Sequence, residues 1–221
     1  MELDYSSVFD SWRFLLGGLG LTLALSVLTM LCSLVLGGAI GLARCYGPQW
    51  LRLPLVFYID SMRSVPVLVV LVWTYFALPL ITGVTLSPFW AALVALTAQL
   101  AAYVAEIVRA GVTSIRVGQT RAAFALGMSR TQTIRTIILP QALVRMMPAF
   151  GSILSITIKD TAIAAVIAVP EYMNRSQTVA GQGFHPIEVF TVAMAVYFII
   201  LFPVTRAVDM VYVRLAHLGR S

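Results

Sequence analysis

Charge is scarce in this chain. Only 11% of its 221 residues are Asp, Glu, Lys or Arg, and Lys159 is the sole lysine. Cysteine is limited to Cys32 and Cys45, and histidine to His185 and His217. Each shortage removes a class of function. A phosphate-cradling loop needs Gly-Lys-Ser/Thr ahead of a helix, and Lys159 lies in an apolar run with no glycine loop before it. The chain is therefore not expected to bind ATP in that way. Cys32 sits within an apolar run, and the pair reads as packing residues rather than a disulfide or metal pair. The two histidines lack ligand-like spacing, so no metal site is expected, and no nucleophile–base set suggests a catalytic residue. The opening MELDYSSVFDSW is acidic where a cleavable signal would be basic.

What is abundant is apolar. Hydrophobic residues make up 60% of the chain and the mean hydropathy is +0.92, the composition of a polytopic membrane protein. The net charge of +6 is not gathered into one patch. Basic residues recur near the ends of apolar runs, which points to orientation in a bilayer and away from nucleic acid.

Crossing the hydrocarbon core takes about 20 apolar residues in a helix. Five runs are long enough, at about residues 15–43, 53–80, 89–108, 147–169 and 189–208. The breakers Pro79, Gly83 and Pro88 divide the second from the third. Backbone groups in lipid must be satisfied internally, so the expected fold is an all-α integral membrane protein, a single domain of five transmembrane helices. Gly37 and Gly41 permit close helix approach, either within the chain or at a dimer seam. No internal repeat is visible, which weakens any model of inverted halves within one chain.

The arginines then set an expected topology. Arg44 and Arg52 lie between runs one and two, while Arg109, Arg116, Arg121, Arg130, Arg135 and Arg145 lie between three and four. Arg206, Arg214 and Arg220 follow run five. The other side carries only Arg13 and Arg175, amid Glu2, Asp4, Asp10, Glu171 and Glu188. The positive-inside rule places the N-terminus outside and the C-terminus in the cytoplasm.

Between runs three and four lies RAAFALGMSRTQTIRTIILP, residues 121–140. Thr120 can cap a short helix that Gly127 ends. Ser129 and Gln132 have capping-box spacing for a second helix, stopped by Pro140. Ala122, Ala123, Phe124 and Leu126 give the first helix a small apolar surface with one aromatic knob. Such a hairpin can dock a soluble partner or rest on lipid headgroups.

This segment resembles the coupling motif of bacterial ABC importer permeases: Glu-Ala-Ala, three residues, Gly, nine residues, Ile, one residue, Leu-Pro. Ala122, Ala123, Gly127, Ile137, Leu139 and Pro140 fall in register, and Arg121 stands where that family usually has glutamate. AAYVAEIVRAGVTSIRVGQ before the segment and IKDTAIAAVIAVPE after it are similar to the polar amino acid branch, as is MRSVPVLVVLVW in run two. The resemblance covers about residues 15 to 208. It implies a permease subunit in the bacterial inner membrane, importing polar or charged amino acids, with a lean towards glutamate and aspartate. It also implies a second permease chain, an extracytoplasmic amino-acid-binding protein, and a separate ATP-binding subunit that holds ATP and Mg. No cofactor is expected in this chain itself. An acidic residue at a helix start suits the dipole, so Arg121 there is expected to be unfavourable by about 0.3–1 kcal/mol.

Charges at membrane depth cost about 2.5–3.5 kcal/mol each on insertion scales and are candidates for function. Lys159 and Asp160 are adjacent, so they diverge by about 100° on a helix and each needs its own partner. Arg63 or Lys159 suits a substrate carboxylate, and Asp160 or Glu106 suits its ammonium. Ser64, Gln99 and Thr161 add neutral hydrogen bonds, and Pro66 is placed to unwind run two. Asp60–Arg63 and Glu106–Arg109 also have the i,i+3 spacing of structural pairs. The same charges leave open a stand-alone amino acid transporter coupled to protons or sodium.

Overall fold

The computed structural model describes residues 4–218, and every regular element among them is helical. In chain order these are α1 (Ser6–Asp10), α2 (Trp12–Tyr46), α3 (Gln49–Ser64), α4 (Val67–Thr82) and α5 (Pro88–Thr113). Then come α6 (Val117–Ala125), α7 (Arg130–Ile167), α8 (Tyr172–Gly183) and α9 (Pro186–Leu218). Helices α2, α5, α7 and α9 are each long and apolar enough to cross a membrane, and the bent pair α3–α4 raises the number of spans to five.

Helix α5 is the hub. Ala91, Ala92, Ala95, Ala101, Ala102 and Ala105 are buried along it, so neighbouring backbones can approach closely. A Cβ added to Gly37 would lie 2.4 Å from the Ala101 carbonyl oxygen, and one on Gly41 would lie 2.7 Å from that of Ala105. The small-residue seam of α2 is therefore packed against α5 of the same chain.

The second apolar run is not one straight helix. It breaks between Ser64 and Val67, where α3 and α4 meet at 108°. Val65, preceding a proline, is extended (φ −92°, ψ 134°), as ring sterics demand. Pro66 has no N–H for the Met62 carbonyl, and the helix stops.

Two other prolines are absorbed rather than obeyed. Wider π turns at Trp73–Ala77 and Thr133–Ile138 come just before Pro79 and Pro140. The extra residue in the turn relieves the clash between the proline ring and the preceding turn. Pro140 consequently does not end the second limb of the hairpin. That limb runs on as α7 into the fourth span.

Past Asp160 the helix tightens to a 3₁₀ form over Thr161–Ile167 and ends at left-handed Ala168 (φ 60°). Helix α8 follows, which the apolar pattern missed because it is polar and short. Its N-cap is Glu171, fully buried, accepting from the amides of Met173 (2.9 Å) and Asn174 (2.7 Å) and from the Thr22 hydroxyl (3.2 Å). Burial pushes the Glu171 carboxyl above its ordinary range. Arg175 donates to the carbonyl of Phe14, so α8 is fastened to the start of α2.

Candidate functional site

At the break in the second span, the orphaned carbonyls have to find donors. Gln99 of α5 supplies them. Its Nε2 donates to the carbonyls of Met62 (3.2 Å) and Val65 (2.7 Å), and Gln99 is almost wholly buried. Tyr103, one turn further along α5, donates its hydroxyl to the Arg63 carbonyl (3.4 Å). Two α5 side chains thus satisfy the carbonyls of Met62, Arg63 and Val65 that the α3–α4 segment leaves open.

Beside the break is a cleft of about 350 Å³, lined by Arg63, Ser64, Pro66, Gln99 and Asp160 together with Tyr103, Leu100 and Ile153. Five of the sequence candidates therefore line one cleft. The Arg63 guanidinium lies 5.7 Å from the Tyr103 ring centroid, a cation–π contact that fixes it without neutralising it. The Ser64 hydroxyl is turned inward to the Asp60 carbonyl (2.7 Å). Pro66 and Val67 open α4, whose first amides carry positive partial charge. One side of the cleft is accordingly positive and Asp160 is its carboxylate.

Three candidates lie elsewhere. Lys159 is exposed and does not line the cleft. Thr161 is buried with its hydroxyl on the Ile158 carbonyl (2.8 Å). Glu106 sits about 10 Å further along α5 than Gln99, at 1.5 Å per residue. There it accepts from Arg44 (2.6 Å) and from Arg109 Nε (3.0 Å). The i,i+3 partner Arg109 was legible in the sequence, whereas Arg44 is brought in by the α2–α5 seam. Asp60 is exposed and forms no ion pair with Arg63. Tyr103 was missed; its only sequence signal is a position four residues after Gln99 on the same face.

The hairpin is a tight elbow. Helix α6 begins at Val117, three residues before Thr120, so Arg121 lies mid-helix and the expected dipole penalty does not arise. The helix ends in a Schellman turn: Met128 N–H reaches the Ala123 carbonyl (3.1 Å), with Gly127 left-handed (φ 80°). Only glycine takes that conformation without strain. Ser129 and Gln132 form a reciprocal capping box, with the Ser129 N–H donating to Gln132 Oε1 (2.8 Å) and the Gln132 N–H to Ser129 Oγ (3.3 Å). Ala123 is buried and anchors α6 onto α7. Arg121, Ala122, Phe124, Leu126, Gly127 and Pro140 are exposed, and Ile137 and Leu139 are half-buried. An exposed Phe124 beside an 82% exposed Leu126 is an apolar tip in need of a partner.

Comparison with known proteins places this geometry among transporters. Residues 33–217 match the model of the binding-protein-dependent transport system inner membrane component family. The glutamine transport system permease protein of Escherichia coli (strain K12) is 37% identical over 202 residues, covering 91% of this chain and 92% of that protein. The arginine transport system permease protein of Bacillus subtilis (strain 168) is 33% identical over 208 residues, covering 93% and 94%. A crystal structure of an amino acid ABC transporter with histidines superposes at a TM-score of 0.90 with 28% identity, over 97% of this chain and all of that one. The inward-facing methionine ABC transporter shares the fold at a TM-score of 0.78 and 21% identity, over 93% and 98%.

Proposed function

Because this chain belongs to the binding-protein-dependent transport system inner membrane component family, and is the permease component of an amino acid ABC importer, we propose that it moves polar amino acids through the cleft at the Pro66 break. The substrate carboxylate is received by Arg63 and the start of α4, and the ammonium by Asp160. The observation that carries this reading is the pairing of an uncompensated Arg63 with a carboxylate across one cleft. A zwitterion supplies both missing charges.

ATP hydrolysis belongs to a separate subunit of the importer. On this reading that subunit binds ATP and Mg and docks on the elbow around Phe124, Leu126 and Gly127. A cytoplasmic elbow requires the N-terminus outside, as the arginine distribution favours. Nucleotide-driven closure of two ATPases draws two elbows together, and the long α7 carries that displacement to Asp160 at the cleft. This is alternating access by rigid-body motion. It calls for a second permease chain, of the same or a similar sequence, and an extracytoplasmic binding protein to deliver substrate. Family membership favours this mechanism over the ion-coupled transporter that the charges alone also allowed.

The Arg-Ser-Val-Pro segment leans towards glutamate and aspartate, whereas one cation facing one carboxylate suits a substrate without net charge. Competition separates the two. In proteoliposomes with the ATPase and binding protein, uptake of labelled glutamine should be ATP-dependent and lost in Arg63→Ala. Competition by glutamate over glutamine would select the acidic reading, and unchanged uptake in Arg63→Ala would remove the cleft from the path.

A further inference from the structure

At the rim opposite α8, the ends of α2 and α5 and the start of α3 enclose a second cavity of about 330 Å³. It lies well away from the Pro66 cleft. Its walls include Arg44, Arg52 and Arg109, with Tyr46 and Thr113. Two of the three guanidiniums, those of Arg44 and Arg109, share Glu106, the one acidic residue in contact with either among the described residues. Arg52 has no acidic partner among the described residues, which leaves a net charge of +2 around the cavity.

The hydrogen-bond inventory points the same way. Glu106 takes Arg44 through Nη1 and Arg109 through Nε and Nη2. Arg44 Nη2 and Arg109 Nη1 keep their donors. The Tyr46 hydroxyl is buried and has no partner. Buried hydroxyls are normally satisfied, and a cavity lined by Tyr46 and three arginines with unspent donors suits an acceptor-rich anion. A phosphate or phosphodiester offers several acceptor oxygens to such a set of donors.

The surroundings identify which phosphate. Trp50, Leu53 and Phe57 recur at i, i+3 and i+7 on α3, each about three-quarters exposed. This apolar stripe flanks the cavity-lining Arg52 and runs along α3, with Trp50 in its first turn, where an aromatic ring at the end of a span suits a membrane interface. An anionic head in the cavity and acyl chains along neighbouring apolar surface is the signature of a phospholipid site between transmembrane helices. We propose that this cavity binds the headgroup of an anionic phospholipid. The inference requires only that the chain spans a bilayer and does not depend on the substrate path.

Native mass spectrometry of the permease complex, solubilised from membranes with whichever subunits accompany it, tests the assignment. Phosphatidylglycerol should remain bound and should be retained at least fivefold over phosphatidylcholine in a mixed titration. Arg52→Gln, an exposed position with no fold to disturb, and Tyr46→Phe should each lower phosphatidylglycerol retention several-fold. Equal retention of the two lipids, or retention unaffected by both variants, overturns the proposal. A separate arm adds inorganic phosphate. If it displaces the lipid at low millimolar concentration in a variant-sensitive way, the cavity is a free-anion site and the lipid assignment fails. If phosphate leaves the lipid bound, the assignment stands.

Discussion

The Pro66 break and the Gly127 elbow are both places where the chain turns, but they are held by opposite means. At the break, the freed carbonyls of Met62 and Val65 are satisfied by Gln99 from another helix. At the elbow, the orphan groups are satisfied within a few residues, by the Schellman turn at Gly127 and the Ser129–Gln132 box. A turn closed by local bonds can move as a rigid body. A turn closed by a remote side chain changes shape when the helices shift. On the proposed function, the difference suits a pushed lever at one end and a responsive pocket at the other.

The largest effect is expected at Gln99. Gln99→Met leaves two half-buried carbonyls without their Gln99 donor, at up to about 1–3 kcal/mol each. The complex should melt several degrees lower in detergent, and uptake should fall with it. Were the break self-sufficient, both would be unchanged.

Arg63→Ala comes next. One charge-assisted hydrogen bond of about 1.5–3 kcal/mol corresponds to a loss of roughly ten- to a hundredfold in uptake. Because Arg63 is exposed and its ring contact is peripheral to the core, the melting temperature should hold. Copurification of the ATPase should also be intact. A parallel loss of ATPase binding would show that the two regions are one unit.

Smaller effects belong to the elbow. Ser129→Ala removes a cap worth about 1 kcal/mol. Gly127→Ala imposes left-handed strain of about 1–2 kcal/mol. Hydrogen exchange should speed up over residues 117–132 while amides at the break keep their protection. Smallest of all is Arg121→Glu. As an exposed mid-helix residue it should alter stability by no more than about 0.5 kcal/mol. It should nevertheless change the salt dependence of ATPase binding, measured on the purified subunits.

How much of this was readable in the sequence follows the same division. Gly127, Ser129 and Gln132 announce the elbow because local caps depend on short spacings. The apolar runs announce the spans for a similar reason. Pro66 announced a break, but not its 108° angle or the role of Gln99, because that contact joins positions 34 and 37 residues apart. Pro140 read as a stop, since composition does not reveal that a π turn will absorb the ring. Glu106 read both as a substrate ligand and as the i,i+3 partner of Arg109, while its second partner Arg44, 62 residues away, was out of sight. Helix α8 was hidden by polarity, although Pro170-Glu171 ahead of it is a capping signal.

On the proposed mechanism, the elbow conveys force from the ATPase to the cleft. The most direct test of this is a crosslink from Phe124→Cys, in a chain whose Cys32 and Cys45 have been replaced. The expected result is a covalent adduct with the ATP-binding subunit, formed from the cytoplasmic side and altered in yield by ATP. Labelling of that position only from the exterior, or no adduct with the ATPase in a transport-active complex, would contradict it.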